Sequence, residues 1–150
     1  MIHPKITEYL SLLKSFNELF NITSSKSYDH LGFHIEDSAT LASIISNHEA
    51  SVLDMGSGSG LPSIIIAILN PANSVYAVES NQKKASFLHT LKQELELPNF
   101  EAINEDLNVY ARSISFTPSF ITAKAFAPYP KVVTYAKQFS QKGTHLLVPI

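Results

Sequence analysis

Three closely spaced glycines between an apolar stretch and a helical pattern constrain this chain more than any other feature. The apolar residues 51–55 lead into Gly56-Ser57-Gly58-Ser59-Gly60, and residues 61–69 follow as a predicted helix. Glycine lets the backbone turn sharply and approach a ligand closely, and the start of a helix offers unpaired N–H groups to a polar ligand. The segment therefore predicts a strand, a ligand-binding loop and a helix, in that order.

The chain after residue 70 continues to alternate between strand and helix patterns. Strands are predicted at residues 74–79, 100–103, 119–125 and 144–148, and helices from a Ser80-Asn81 cap to about residue 95 and from about 130 to 139. Residues 104–117 have no clear pattern. Strands that alternate with helices predict a doubly wound, Rossmann-like α/β fold with five parallel strands.

Two helical patterns precede this alternation. The first 20 residues carry an amphipathic stripe of Ile6, Tyr9, Leu10, Leu13, Phe16, Leu19 and Phe20. Polar residues 21–25 interrupt it, and a second helical pattern covers about residues 30–46. We expect one domain over residues 1–150, in which helices of residues 1–48 extend an α/β core of residues 49–150.

Composition excludes several classes of protein. Hydrophobic residues make up 45% of the 150 residues and charged residues 16%, which is typical of a globular chain. Cysteine is absent, so disulfides, thiolate nucleophiles and Cys-ligated zinc are excluded. No membrane-spanning run or secretory signal is seen, so a cytoplasmic protein is expected. Because the net charge is −2, binding to nucleic acid would require a local basic patch or a substrate held mainly by other contacts.

Acidic residues at two predicted strand ends narrow the choice of ligand. Asp54 precedes the first glycine, and Glu79 closes the second strand. The spacing Gly-x-Gly-x-Gly differs from the dinucleotide fingerprint Gly-x-Gly-x-x-Gly, and a Gly-Lys-Ser/Thr phosphate loop is absent. Asp54 suits an ammonium group, and Glu79 can accept hydrogen bonds from ribose hydroxyls. These features together describe S-adenosylmethionine, and the alternative is a tight turn that binds no ligand.

Several segments from about Phe16 to Gly143 resemble one bacterial family. They are residues 16–24 (FNELFNITS), 34–38 (HIEDS), 53–62 (LDMGSGSGLP), Glu79-Ser80, Lys83-Lys84, Phe87-Leu88, 95–97 (LEL) and 124–127 (KAFA). They are similar to the glucose-inhibited division protein B (GidB/RsmG) family of S-adenosylmethionine-dependent methyltransferases. The resemblance implies methylation of guanine N7 in 16S rRNA, with 16S rRNA or the 30S subunit as partner. It implies a monomer, with neither DNA nor a membrane as partner.

The resemblance also implies site residues, position by position. The cofactor site would comprise Asp54, Gly56, Ser57, Gly58, Gly60, Leu61, Glu79, Leu107, Asn108 and Lys124. Gly56 and Leu61 would line it, Glu79 would hold the ribose, and the pair after the third strand would face the adenine. Lys124 and Phe126 are the candidate catalytic residues. Phe126 could stack on the target base or could simply pack in the core.

Some positions depart from the family pattern. Lys124 stands in place of a family arginine and lacks its planar fork. Asp106 replaces a second arginine, and Pro149-Ile150 replaces a Lys-Gly pair that the family follows with two more strands. The alternatives are therefore methylation of another acceptor, or an inactive, truncated family member.

The residue chemistry is compatible with methylation of guanine N7. That atom carries a lone pair and no proton, so the enzyme needs to position it and needs no general base. His30, His34 and Asp37 lack a further ligand at metal-site spacing, so no metal is expected. His34 and Asp37 more readily hold the N-terminal helices against the sheet than touch substrate. Lys83, Lys84 and Lys124 are the candidate RNA contacts near the ligand end of the sheet.

Overall fold

Short runs of apolar and β-branched residues form the strands of the computed structural model, which describes residues 3–46 and 49–148. The strands are β1 (Ser51–Met55), β2 (Ser74–Val78), β3 (Phe100–Ile103), β4 (Phe120–Ala123) and β5 (His145–Leu147). The helices are α1 (Pro4–Phe20), α2 (Ser25–Asp29), α3 (Leu31–Ile45), α4 (Ser63–Leu69), α5 (Gln82–Glu94), α6 (Leu107–Ser113) and α7 (Tyr129–Lys137). All strand pairs are parallel, so the predicted five-stranded α/β fold is confirmed.

The order of the strands determines where a ligand can bind. The order is β3-β2-β1-β4-β5, so the chain moves outward from β1 to β3 and then returns to the other side of β1. Asp54 of β1 consequently lies between Ala77 of β2 and Thr122 of β4. In open parallel sheets, ligands bind beyond the carboxyl ends of the strands at the point where the order reverses. That point lies beyond β1 and β4, next to the glycine loop.

Helices cover both faces of the sheet, because successive side chains along a strand point in opposite directions. In β1, Val52 packs into one hydrophobic cluster and Leu53 into the other. The first cluster contains Tyr9 and Leu13 of α1, both fully buried, and the second contains Val132 of α7. The N-terminal helix α1 therefore packs against the sheet through its predicted apolar stripe.

Two local predictions are corrected by the structure. The segment 21–25 interrupts the first helix as predicted, but Ser24 caps an additional helix, α2, and accepts a hydrogen bond from the Ser27 N–H at 3.2 Å. The segment 104–117 contains helix α6, capped by Asp106, whose Oδ1 accepts from the Asn108 N–H at 2.8 Å. Serine and aspartate are favoured at this capping position because their side chains satisfy otherwise unpaired N–H groups.

Two expectations concern residues that the structure does not describe. The predicted boundary after residue 48 and the Pro149-Ile150 departure fall outside the described residues. Within residues 3–46 and 49–148, no helix combines the length and hydropathy needed to cross a bilayer.

Candidate functional site

A cavity of about 500 Å³ lies at the carboxyl ends of the central strands. It is lined by the glycine loop, the end of β2, the β3–α6 connection, the residues after β4 and the segment 22–34. The position agrees with the ligand site that the sequence predicts for the glycine loop. The segment 22–34 was not predicted there, and it adds a wall from the N-terminal helices.

Asp54 holds the glycine loop through buried hydrogen bonds. Its carboxylate is 1% exposed and accepts hydrogen bonds at 2.8 Å from the hydroxyls of Ser57 and Thr122. Asp54 is not among the residues that line the cavity, and its contact with a ligand stays a prediction. Its observed contacts give it the other predicted role, which is to shape the loop.

Burial has a marked effect on the acidity of Asp54. Removal from water raises the pKa of Asp54 to about 7, and hydrogen bonds from Ser57, Thr122 and Ser63 oppose that rise. Sequence analysis missed Thr122. The signal for it is a hydroxyl within an apolar strand, in register with Asp54.

Glu79 holds the loop from the side. Its Oε1 accepts a hydrogen bond from the Gly58 N–H and its Oε2 accepts one from the Asn81 N–H, both at 2.8 Å. Glu79 is 8% exposed and lines the cavity. Each carboxylate oxygen has a further lone pair, so Glu79 can bind the loop and still accept from a ligand hydroxyl. Its predicted contact with ribose stays a prediction that this geometry supports.

The glycines of the loop are required by the backbone and by its neighbours. Gly56 has φ +66°, and a Cβ there would overlap the ring of Phe126. Gly60 has φ +97°, and a Cβ there would lie 2.8 Å from Cγ1 of Ile64. Positive φ values are strained for residues with a side chain. Gly56 and Gly60 therefore let the loop pack closely against β4 and α4.

Tyr9 of α1 provides a third support that sequence analysis missed. Its hydroxyl donates to the Ser59 carbonyl at 2.9 Å, although 50 positions separate the two residues. Tyr9 is fully buried, and this burial raises the pKa of its hydroxyl well above the ordinary value. Its place in an apolar stripe predicted only core packing, so no sequence signal marked the contact.

The structure places Leu107 and Asn108, the predicted adenine-side pair, in different surroundings. Leu107 is buried and lines the cavity, and its contact with adenine stays a prediction. Asn108 does not line the cavity, and its Oδ1 accepts a hydrogen bond from Nε2 of Gln138 at 2.8 Å. The reason is that α6 begins at Leu107, so Asn108 lies on the helix face turned toward the end of α7. Glu105 and Asp106, which were not predicted as site residues, line the cavity instead.

Lys124 lies at the opposite side of the cavity. Its ammonium forms an ion pair with Asp37 of α3 at 2.7 Å, and the Lys124 side chain is only 13% exposed. The same ammonium lies 6.0 Å from the ring centroid of Phe33. Asp37 therefore links α3 to the residues after β4, which is the structural role expected for it.

His34 lies near this ion pair and lines the cavity. Burial and the nearby Lys124 lower the pKa of His34, which favours the neutral ring. Within the described residues its Nδ1 atom is buried without a hydrogen-bond partner. Also within them, no three His, Asp or Glu side chains are grouped as metal ligands.

Phe126 forms a wall between two cavities. Its ring contacts the loop at Gly56 and lies 5.4 Å from the ring of Tyr135. On its other side is an apolar cavity of about 590 Å³, lined in part by Tyr129 and Val132. The packing alternative for Phe126 is thus observed, whereas stacking on a target base stays a prediction.

Three carboxylates and two ammonium groups line the main cavity. Glu79, Glu105 and Asp106 lie on the side of β2 and β3. Lys84 and Lys124 also line the cavity, but the charge of Lys124 is balanced by Asp37. Such a site suits a ligand with a cationic group, hydroxyls and an apolar ring, with Leu107 as an apolar wall.

Comparison with protein sequences supports a single family. A family model described as rRNA small subunit methyltransferase G (GidB) matches residues 2–148. The protein named ribosomal RNA small subunit methyltransferase G from Paracoccus denitrificans is 32% identical over 146 residues, which cover 96% of this chain and 74% of that protein. The protein of the same name from Nitrosococcus oceani is 37% identical over 142 residues, covering 94% of this chain and 61% of that protein.

Comparison with solved structures supports the fold. An O-methyltransferase from Bacillus cereus in complex with SAH has a TM-score of 0.73 at 17% identity, covering 99% of this chain and 66% of that one. The cofactor-bound Rv0187 from MTB gives 0.73 at 17% identity, covering 98% and 65%. Both resemblances concern the arrangement of strands and helices alone.

Proposed function

This chain belongs to the rRNA small subunit methyltransferase G family, and from that premise we propose that it transfers a methyl group from S-adenosylmethionine to N7 of a guanine in 16S rRNA. The observation that carries the proposal is the glycine loop, held by Asp54 and Glu79 at the carboxyl end of β1, within a family of named rRNA methyltransferases. Free 16S rRNA and the 30S subunit are the proposed substrates.

The residues around the loop fit S-adenosylmethionine. The Glu79 carboxylate faces the cavity with lone pairs left for ribose hydroxyls, and Leu107 offers an apolar surface for adenine. Gly58 has φ +56°, and no protein atom is closer than 3.9 Å to the position of a Cβ there, so a ligand can approach the backbone. When bound, the cofactor supplies a methyl group on a positively charged sulfur.

The protein then has two tasks, which are to orient the guanine and to exclude water. Proton removal is unnecessary, because N7 carries a lone pair and no proton. The base gains a positive charge when N7 is methylated, so an unpaired lysine beside it would oppose the reaction. Asp37 neutralises Lys124 at 2.7 Å, so the β4 side presents a positioned ion pair in place of an isolated cation.

The test is methyl transfer to 30S subunits and to free 16S rRNA that lack the modification. We expect radioactive methyl from S-adenosylmethionine to enter the RNA, and nucleoside analysis to identify N7-methylguanosine. A different methylated nucleoside would contradict the assignment to N7. Binding of S-adenosylmethionine without transfer to either RNA would contradict the proposed acceptor and favour another one. The Gly32→Ala variant is the control, since a Cβ at that position of α3 meets no atom within 4 Å.

A further inference from the structure

Three aromatic rings beside the cavity each have a lysine ammonium close by. The pairs are Phe20 with Lys83 at 5.9 Å, Phe33 with Lys124 at 6.0 Å and Tyr135 with Lys131 at 5.9 Å, measured from Nζ to ring centroid. We call these six residues the collar. Such distances allow attraction between the cation and the ring face.

Tyr135 and Lys124 of the collar line the cavity, and the other four residues lie in elements that also contribute to its lining or lead directly into it. Lys83 lies in the first turn of α5 and Lys131 in the first turn of α7, and both helices leave the carboxyl ends of strands. Phe20 ends α1 just before Ile22, which lines the cavity, and Phe33 precedes His34, which also lines it. Several elements near the carboxyl ends of the strands therefore contribute the aromatic–lysine pairs.

Core packing does not account for the two phenylalanines. Phe20 is 44% exposed and Phe33 is 65% exposed, whereas Phe87, which the neighbouring Phe16 contacts, is fully buried. Exposed rings are stacking surfaces for unpaired bases, and nearby lysines can neutralise the phosphates of the same strand. A chain of net charge −2 has no general attraction for RNA, so local features must supply it.

We propose that the collar binds single-stranded RNA that flanks the target nucleotide, an inference that rests on the proposed function. Bases stack on Phe20 and Phe33, and the lysines contact phosphates. Lys124 is paired with Asp37, so among the described residues Lys83 and Lys131 are the collar cations without an ion pair. Two neutralised phosphates predict a slope of about −1.4 for log K against log salt concentration.

The experiment measures anisotropy of a labelled oligoadenylate of about 12 nucleotides across a salt series, without cofactor. Phe20→Leu and Phe33→Leu keep an apolar side chain and remove the aromatic face. Each should weaken binding by at least about fivefold and leave the salt slope unchanged. Lys83→Gln should instead make the slope shallower by about 0.7.

Matched controls separate stacking from other effects. Leu19→Ala removes a side chain that is 76% exposed and adjacent to Phe20 but has no aromatic face, and its binding should equal that of wild type. Lys142→Gln removes a cation from the turn before β5, at the amino end of that strand and away from the carboxyl ends where the cavity lies. It should leave the slope unchanged. Wild-type affinity in both phenylalanine variants, or equal losses in Leu19→Ala, overturns the proposal. So does equally tight binding of a duplex of the same length.

The outcome is separable from that of the methylation assay. Loss of RNA binding in the phenylalanine variants supports the collar even if the wild-type chain methylates another acceptor. Conversely, methylation of guanine N7 together with unaltered RNA binding in those variants overturns the collar and leaves the proposed function intact. Phe33→Leu also guards against misfolding, because that ring contributes little to the core.

Discussion

The two sides of the cavity are held in place by different means. On the glycine-loop side, Asp54 and Glu79 bond to hydroxyl and N–H groups of the loop itself and of neighbouring strands. On the β4 side, Lys124 depends on Asp37, which lies 87 positions earlier, and Phe126 depends on packing against Gly56 and Tyr135. The loop is therefore held mainly by hydrogen bonds to strand ends beside it, whereas the β4 side is held by one ion pair to α3 and by ring packing.

Gly56 is where the two sides meet, so Gly56→Ala should have the largest effect. Its φ of +66° disfavours alanine, and the added Cβ would overlap the Phe126 ring. We expect the affinity for S-adenosylmethionine, measured by calorimetry, to fall by more than about 100-fold, since loop and ring must both move.

The Phe126→Ala exchange in the same background separates the two causes. If overlap with the ring dominates, the double variant should regain part of the affinity. The Gly32→Ala control should bind as wild type does. Normal binding by Gly56→Ala would contradict the described contact between the two sides.

Glu79→Gln tests the loop side alone. Glutamine keeps the shape but replaces one acceptor oxygen with an N–H donor, which faces the N–H of either Gly58 or Asn81. We expect cofactor affinity to fall about 10- to 100-fold, as is usual when a charged hydrogen bond is lost. Glu101→Gln is the matched control, because its carboxylate is 59% exposed and pairs with Lys92. Similar losses in the two variants would refute a specific role for Glu79.

The same contrast explains how much of each side of the cavity could be predicted from the sequence. The loop, Asp54 and Glu79 were predictable because strand, glycines and helix follow one another within about 30 residues. The position of Asn108 outside the cavity lining was not predictable, because the start of α6 at Leu107 decides which face each residue occupies.

Contacts between distant segments left no comparable signal. Tyr9 matched an ordinary apolar stripe, and its hydrogen bond to Ser59 exists only because α1 packs beside the loop. Asp106 stands where the family pattern has an arginine. In the structure its side chain caps the start of α6. Helix α2 was missed because serine both interrupts helices and caps them.

Lys124→Ala tests the β4 side. Loss of the ion pair with Asp37 should lower the methyl-transfer rate about tenfold, because α3 and the residues after β4 would no longer be linked. Thermal stability should change less, since the Asp37 carboxylate is 30% exposed and water can solvate it. Lys124→Arg retains the charge and should recover most of the rate. An unchanged rate in Lys124→Ala would contradict this role.

The smallest expected effect concerns the pH dependence of folding. Burial raises the pKa of Asp54 from 3.8 to about 7, so between these values the native protein holds a proton that the unfolded chain has released. The stability contributed by this proton is greatest below about pH 4 and is lost as the pH rises toward about 7. The Asp54→Asn variant lacks this titration. Urea denaturation should therefore show a flatter pH dependence in the variant than in wild type, and equal slopes would contradict the burial of this carboxylate.

Calorimetry of S-adenosylmethionine with the purified 150-residue chain tests the central claim most directly. The claim is that the loop held by Asp54 and Glu79 is a working cofactor site. We expect one site per chain with micromolar affinity. Glu79→Gln should weaken this affinity, and Glu101→Gln should leave it unchanged. Absence of binding by a chain that circular dichroism shows to be folded would contradict it.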